Sequence, residues 1–311
     1  MSKNNEREEE FVTLLKNRLQ QYPYPLIVND LIVEKNNGVK IRAISIAQEG
    51  CQNSIFIYPE SVLENNSDPV SDIVSKFIGE LTIHLAEIER LSTETEKNIK
   101  SFSSVKSKII YKLINAKSNE LSLKGKPHRE VCGDLALVYQ VLLPNDNKTD
   151  QLVTTTITNE ILSFWNVTEE ELYNIAKSNT PALLPAKVFS MDNLIPFFSQ
   201  EQPLEKQMFI ITNEATTCGA AAILYDDCKE LKTLADKIGT DLYILPSSIN
   251  ECIIMSTHFP DAADEDQVPE KVPENLTQMV NEVNTSAVPD EQILSDHPYL
   301  YNRDTGRIFS F

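Results

Sequence analysis

Glycine is scarce in this chain, with eight in 311 residues. None fall into GxGxxG or GxxxxGK[ST] spacing, which excludes the usual glycine-rich loops that cradle nucleotide phosphates. Basic charge is also short. The chain carries 28 Lys and Arg against 46 Asp and Glu, a formal net charge of −18. A nucleic-acid binder needs a basic stripe to displace counterions. The nearest approach, KSFSSVKSK over Lys100–Lys108, has no interleaved aromatics and reads as a solvated connection. The five cysteines, at 51, 132, 218, 228 and 252, are odd in number and contain no Cys-x-x-Cys pair. They argue against a disulfide framework and against zinc-ligand spacing, and read as small hydrophobes in a reducing compartment. No apolar run approaches the roughly 20 residues that span a membrane. The first residues, MSKNNEREEEF, hold no apolar signal region. The expectations are therefore a soluble cytoplasmic protein with no cofactor, no metal, no membrane association and no direct nucleic-acid contact.

The hydrophobic content of 41% supports a sizeable core. Leucine and phenylalanine at 11, 14, 15 and 19 predict a first helix, stopped by Pro23 and Pro25. Asn36-Asn37-Gly38 between apolar runs predicts a hairpin, followed by a third strand over Ser54–Tyr58 and a long helix over Pro69–Leu91. Strands are expected over Ile109–Ile114, Leu135–Leu143, Leu152–Ile157 and Val188–Met191, with a loop over Leu121–Val131 and a turn at Asn145–Asn147. Thr158 caps a short helix that ends at Trp165. Thr168-Glu169-Glu170-Glu171 is a capping box for a second helix, with Asn179-Thr180-Pro181 as its stop. The stretch Lys206–Ser256 reads strand, strand, helix, strand, strand: Met208–Thr212, Ala220–Tyr225, Cys228–Ile238 closed by Gly239, Leu242–Leu245 and Cys252–Met255. A short helix over Leu276–Val283 and a closing hairpin over Pro298–Phe311 follow. The fold class is α+β, with mixed, mainly antiparallel sheets and flanking helices. Two subdomains are expected, 1–148 and 149–311, the second carrying an acidic, proline-containing loop near 258–274.

Candidate chemistry is sparse. Leu245-Pro246-Ser247-Ser248-Ile249-Asn250-Glu251 joins two strands and offers two hydroxyls, an amide and a carboxylate. Ser247, Ser248, Asn250 and Glu251 are candidate binding residues, although such side chains commonly satisfy their own backbone. Cys218, at a turn beside Gly219, is the best-placed thiol, and an inert buried thiol is the commoner outcome. His128, Glu130, Cys132 and Asp134 crowd seven residues, but side chains of an extended segment alternate faces and do not converge on an ion. Cys132-Gly133-x-x-Ala136-x-x-Tyr139 is echoed in spacing by Cys218-Gly219-x-x-Ala222-x-x-Tyr225.

Five blocks carry a likeness: DLALVYQVLL, ITNEILSFWNVTEEELYNIAKSNT, ITNEATTCGAAAILY, LYILPSSINECII and MVNEVN…ILSDHPYLYNRD. Together, and in this order, they resemble an uncharacterised bacterial domain-of-unknown-function family, common in gut Gram-positive anaerobes and met near mobile-element genes. The part starting at Trp165 also resembles a second family of unknown function. The resemblance implies a bacterial cytoplasmic protein, accessory to a mobile element, and supplies no catalytic residue. Three functions stay open. The favoured one is a non-enzymatic binding or regulatory protein acting through protein contacts, which predicts an exposed apolar patch. The second is an enzyme, a hydrolase or transferase using Cys218 or the Ser247–Glu251 loop. The third is an acidic inhibitor or nucleic-acid mimic.

Overall fold

The computed structural model describes residues 3–50, 54–64, 66–143, 152–194, 202–259 and 273–310. The expected turn at Asn145–Asn147, the expected boundary at 148/149, most of the acidic loop and Cys51 lie outside these residues. The chain falls into two compact units: residues 1–35 with 39–100, and residues 36–38 with 101–311.

In the first unit, apolar residues three and four apart make one face of α1 (Lys3–Leu19). That face meets a meander of β1 (Leu26–Glu34), β2 (Lys40–Gln48) and β3 (Ile55–Ile57), all antiparallel in the order β1-β2-β3. The first hairpin closes as expected. Asn37 and Gly38 both take positive φ, at 61° and 69°, the pairing that matches strand twist, and Lys35 N–H donates to Val39 O at 2.7 Å. A short α2 (Pro59–Leu63) leads into α3 (Val70–Ile99), which runs beyond the expected Leu91. Phe11, Leu15, Ile44, Ile46, Val74 and Leu81 are the buried centre of this unit. Each such side chain stabilises the fold by about 1.5–3 kcal/mol relative to exposure.

The second unit holds two antiparallel sheets. In the smaller, β6 (Leu135–Leu142) is the buried centre. It is flanked by β4 (Ile109–Asn115) on one side, and by β5 (His128–Val131) and β7 (Thr154–Thr156) on the other. The stretch read as a loop at Leu121–Val131 thus contains a strand, and a helical turn at Glu120–Leu123 precedes it. Four residues are too few to display a period, so only pairing to β6 reveals β5. The helices α6 (Asn159–Trp165) and α7 (Glu169–Leu183) start on their predicted caps. Thr158 accepts from Ile161 N–H, and Thr168 and Glu171 form the reciprocal box. Pro181 does not stop α7. Thr180 Oγ accepts Tyr111 N–H from β4 at 3.1 Å and donates to Ala176 O at 2.6 Å, fastening the last turn to the sheet. Tertiary bonding outweighs the proline signal here.

The larger sheet has the order β13-β12-β10-β11-β9-β8. Its strands are β8 (Ala186–Ser190), β9 (Met208–Asn213), β10 (Leu242–Ser248), β11 (Glu251–Ser256), β12 (Tyr299–Asn302) and β13 (Arg307–Phe309). Pro246 sits in β10 just past the rungs shared with β12, which end at Ile244, so its missing N–H breaks no ladder bond on that side. The α8 helix (Lys229–Ile238) ends on Gly239 at φ 94°. The α9 helix (Glu274–Ala287) packs Leu276 and Val280 against Tyr243, Leu245, Met255 and Leu300. Mixed, mainly antiparallel α+β architecture is as expected.

One strand is not. Gly219–Leu224, the core of the run read as Ala220–Tyr225, is a buried 3₁₀ helix. Apolarity suggested a strand, but three consecutive alanines favour helical backbone and lack the branched surface a strand packs. The echo between the Cys132 and Cys218 segments is therefore not a repeated structure. Both cysteines take positive φ, at 47° and 54°, but one segment continues as β6 and the other as a 3₁₀ helix.

Candidate functional site

Three of the residues singled out in the sequence, Cys218, Ser248 and Asn250, share one hydrogen-bond network. The β10–β11 turn is two residues long, Ile249 and Asn250, with Ser248 opposite Glu251. Ser248 Oγ accepts Asn250 N–H at 3.0 Å. Asn250 Oδ1 accepts the Cys218 N–H at 2.9 Å, and its Nδ2 donates to Gln292 Oε1 at 3.2 Å. Asn250 O accepts the Thr212 hydroxyl at 2.7 Å, and Ile249 O accepts Ala220 N–H at 3.2 Å. This network seats the 3₁₀ helix on the hairpin. Gly219 shows how close the fit is: a Cβ there would lie 2.2 Å from Thr212 Oγ1, 2.6 Å from Asn250 O and 2.7 Å from Asn213 N. The Ser247 and Glu251 side chains stand outside the network. Burial pushes the Cys218 thiol up, the opposite direction from an activated nucleophile. Burial likewise raises Cys132 to about 12 and Cys228 to about 11.

A second polar cluster was not anticipated. Asp134, in the turn before β6, receives Asn115 Nδ2 at 2.9 Å and Ser295 Oγ at 3.1 Å on Oδ2, and the Tyr299 hydroxyl on Oδ1. His297 lies beside it. Its Nε2 is 3.5 Å from Asp134 Oδ1 and 3.1 Å from Ser310 Oγ, and its Nδ1 is 2.9 Å from Asp296 Oδ1. The ring packs on Tyr299 with centroids 5.0 Å apart. Burial, reinforced by Asp134, raises the Tyr299 phenol, which stays a donor. One ligand atom from each of Asp134, Asp296 and His297 lies within 4.8 Å of the others. Chemically, the imidazole can hydrogen-bond Ser310 or share a cation with the carboxylates. Of the crowded HREVCGD stretch only Asp134 takes part; Asn115 is 19 residues from it, whereas Ser295 and Tyr299 are 161 and 165 residues away. The usable signal was the polar run Ser295-Asp296-His297 ahead of Tyr299.

In the first unit the outer edge of β1 is unpaired among the described residues. Ile27 opposes Ala47 and Phe56 opposes Ser45, so Ile27 and Phe56 share a face of the sheet, each 47% exposed. Ile32, on the other face, is 61% exposed. Of the two carboxylates of β1, Asp30 and the terminal Glu34, Asp30 is already engaged. Arg42 donates to it through Nε at 3.0 Å and Nη2 at 2.8 Å, and Lys16 at 2.8 Å. The Arg42 hydrogen bonds hold its carboxyl well below the usual carboxylate range. A further feature of the second unit is an open cleft of about 510 Å³ lined by Ser103, Lys106, Ser107, Asn174, Ile175, Ser178 and Asn179. Among the described residues no helix is long and apolar enough to cross a membrane.

The chain belongs to a family of unknown function, DUF5688, whose model matches residues 8–303. No curated protein and no solved structure matches it.

Proposed function

We propose that this member of the DUF5688 family is a non-enzymatic protein-binding module that captures an extended polypeptide segment along β1 of its first unit. The observation that carries the reading is the open nine-residue edge, which turns exposed Ile27 and Ile32 to opposite faces. A strand added to such an edge gains main-chain hydrogen bonds from the free N–H and C=O groups, and alternate side chains supply specificity. Asp30 does not repel it, because Arg42 and Lys16 neutralise that charge. The formal charge of −18 favours a segment with apolar residues at alternate positions and Lys or Arg between them. The inward-facing bonds of the Cys218–Asn250 network, together with its raised thiol, support a structural rather than chemical role for that region.

The test is selection of displayed random peptides on the immobilised full chain. Enrichment of alternating apolar and basic sequences, abolished by the double substitution Ile27→Lys/Ile32→Lys, is the expected result. Failure to enrich any sequence, or enrichment of the same peptides by the double variant, counts against the reading.

A further inference from the structure

We propose that Asp134, Asp296 and His297 bind one divalent first-row transition cation, of the zinc or manganese class. The donor set is mixed: two carboxylates from separate parts of the chain and one imidazole, with ligand atoms mutually within 4.8 Å. Oxygen and imidazole nitrogen together suit zinc, manganese or iron. Calcium and magnesium prefer six or more oxygens, and copper(I) prefers thiolates.

The spacing fits the class. Bonds of about 2.0–2.1 Å in a tetrahedral site put neighbouring ligand atoms roughly 3.3–3.5 Å apart. His297 Nε2 and Asp134 Oδ1 stand 3.5 Å apart, too long for a good hydrogen bond and right for two ligands of one ion. Asp134 is already aimed. Asn115, Ser295 and Tyr299 each donate to its carboxylate, the outer-shell support that metal-ligating carboxylates carry. Asp296 is the adjustable ligand. It now sits at Nδ1, across the ring from Nε2; its side chain is 81% exposed and, among the described residues, hydrogen-bonded only to that ring, which leaves it room to change rotamer toward the ion. Electrostatics points the same way. Two carboxylates face one imidazole, and the other groups bonded to the cluster, Asn115, Ser295, Tyr299 and Ser310, are neutral. A dication balances that charge. Three protein ligands leave at least one position for water or for an oxygen of a bound molecule.

The experiment is calorimetric titration of the EDTA-stripped full chain with zinc, paired with thermal melts. One zinc per chain and a rise in Tm are expected, since an ion that binds the folded state alone stabilises it. Asp296→Ala removes an exposed carboxylate and leaves the core intact. It should weaken zinc at least about tenfold, the scale of losing a supporting interaction in a metal site. His297→Gln should do the same, and Asp304→Ala, at an exposed position in the β12–β13 turn, should not. Absence of stoichiometric zinc binding overturns the proposal. So does unchanged affinity in Asp296→Ala, a variant whose folding is checked by its circular dichroism. Equal affinity for calcium overturns the assigned class.

Discussion

The two units end their sheets differently. In the second unit the six-stranded sheet finishes in β13, three residues long and starting with Arg307, and in β8, five residues long and carrying Lys187 at an exposed position. Short edges bearing lysine or arginine are the usual protection against unwanted pairing. In the first unit the sheet finishes in β1, nine residues long, with isoleucines exposed on both faces and its internal carboxylate cancelled. One chain thus protects one pair of edges and leaves another open. The difference supports the proposal that β1 is a surface for pairing, because an unprotected apolar edge is an aggregation hazard unless something occupies it.

The same contrast separates a closed region from an open one, and substitutions can widen or erase it. The largest effect belongs to Gly219→Ala. The added methyl meets a hydroxyl and two backbone atoms inside 3 Å. Urea unfolding should show a loss of about 3 kcal/mol or more in the second unit, the upper range for overpacking. A loss below about 1 kcal/mol would mean the 3₁₀ helix and hairpin are not locked together. Next comes Thr168→Ala, which removes the α7 capping box and should cost about 1 kcal/mol by the same measurement.

The first unit has a smaller, pH-dependent term. Asp30 has its folded pKa depressed, chiefly by Arg42. Its contribution is present above the ordinary carboxylate value near 3.8 and is lost as pH falls through and below that point. Denaturation of the wild type between pH 6 and pH 3 should show the onset of that loss, which completes only at still lower pH, on the order of 1 kcal/mol for a partly exposed pair. Arg42→Met should flatten it, and an unchanged slope would remove Arg42 as the cause. The smallest change in stability, within about 0.5 kcal/mol, is expected for Ile27→Lys/Ile32→Lys. Those two side chains are 47% and 61% exposed, so the double variant should lose the proposed binding and not folding.

Much of this was legible in the sequence because the signals were local. The Asn36–Gly38 turn, the Thr168–Glu171 box and the Gly239 cap each fix backbone over four or five residues, and each stands where the pattern put it. The readings that changed were decided by partners distant in sequence. The β5 strand exists through its rungs with β6, and α7 continues past Pro181 because Thr180 is tied to Tyr111. The 3₁₀ helix at Gly219 depends on Asn250, more than thirty residues later. The sequence offered Cys218 and the Ser247–Glu251 loop as separate candidates, and the bond that joins Cys218 N–H to Asn250 is a tertiary property. For the Asp134 cluster the polar run Ser295-Asp296-His297 was visible, but not its partner. No spacing rule links residue 134 to residues 296 and 297.

Amide hydrogen exchange across residues 26–34 is the most direct test of the open edge. In the free chain, the amides of β1 that point away from β2 should exchange within seconds while the intervening ones and those of β2 stay slow. Adding a peptide recovered by display selection should slow the outward set. Uniform protection of β1 in the free chain, or no change on adding the peptide, would contradict the assignment of this edge as the binding surface.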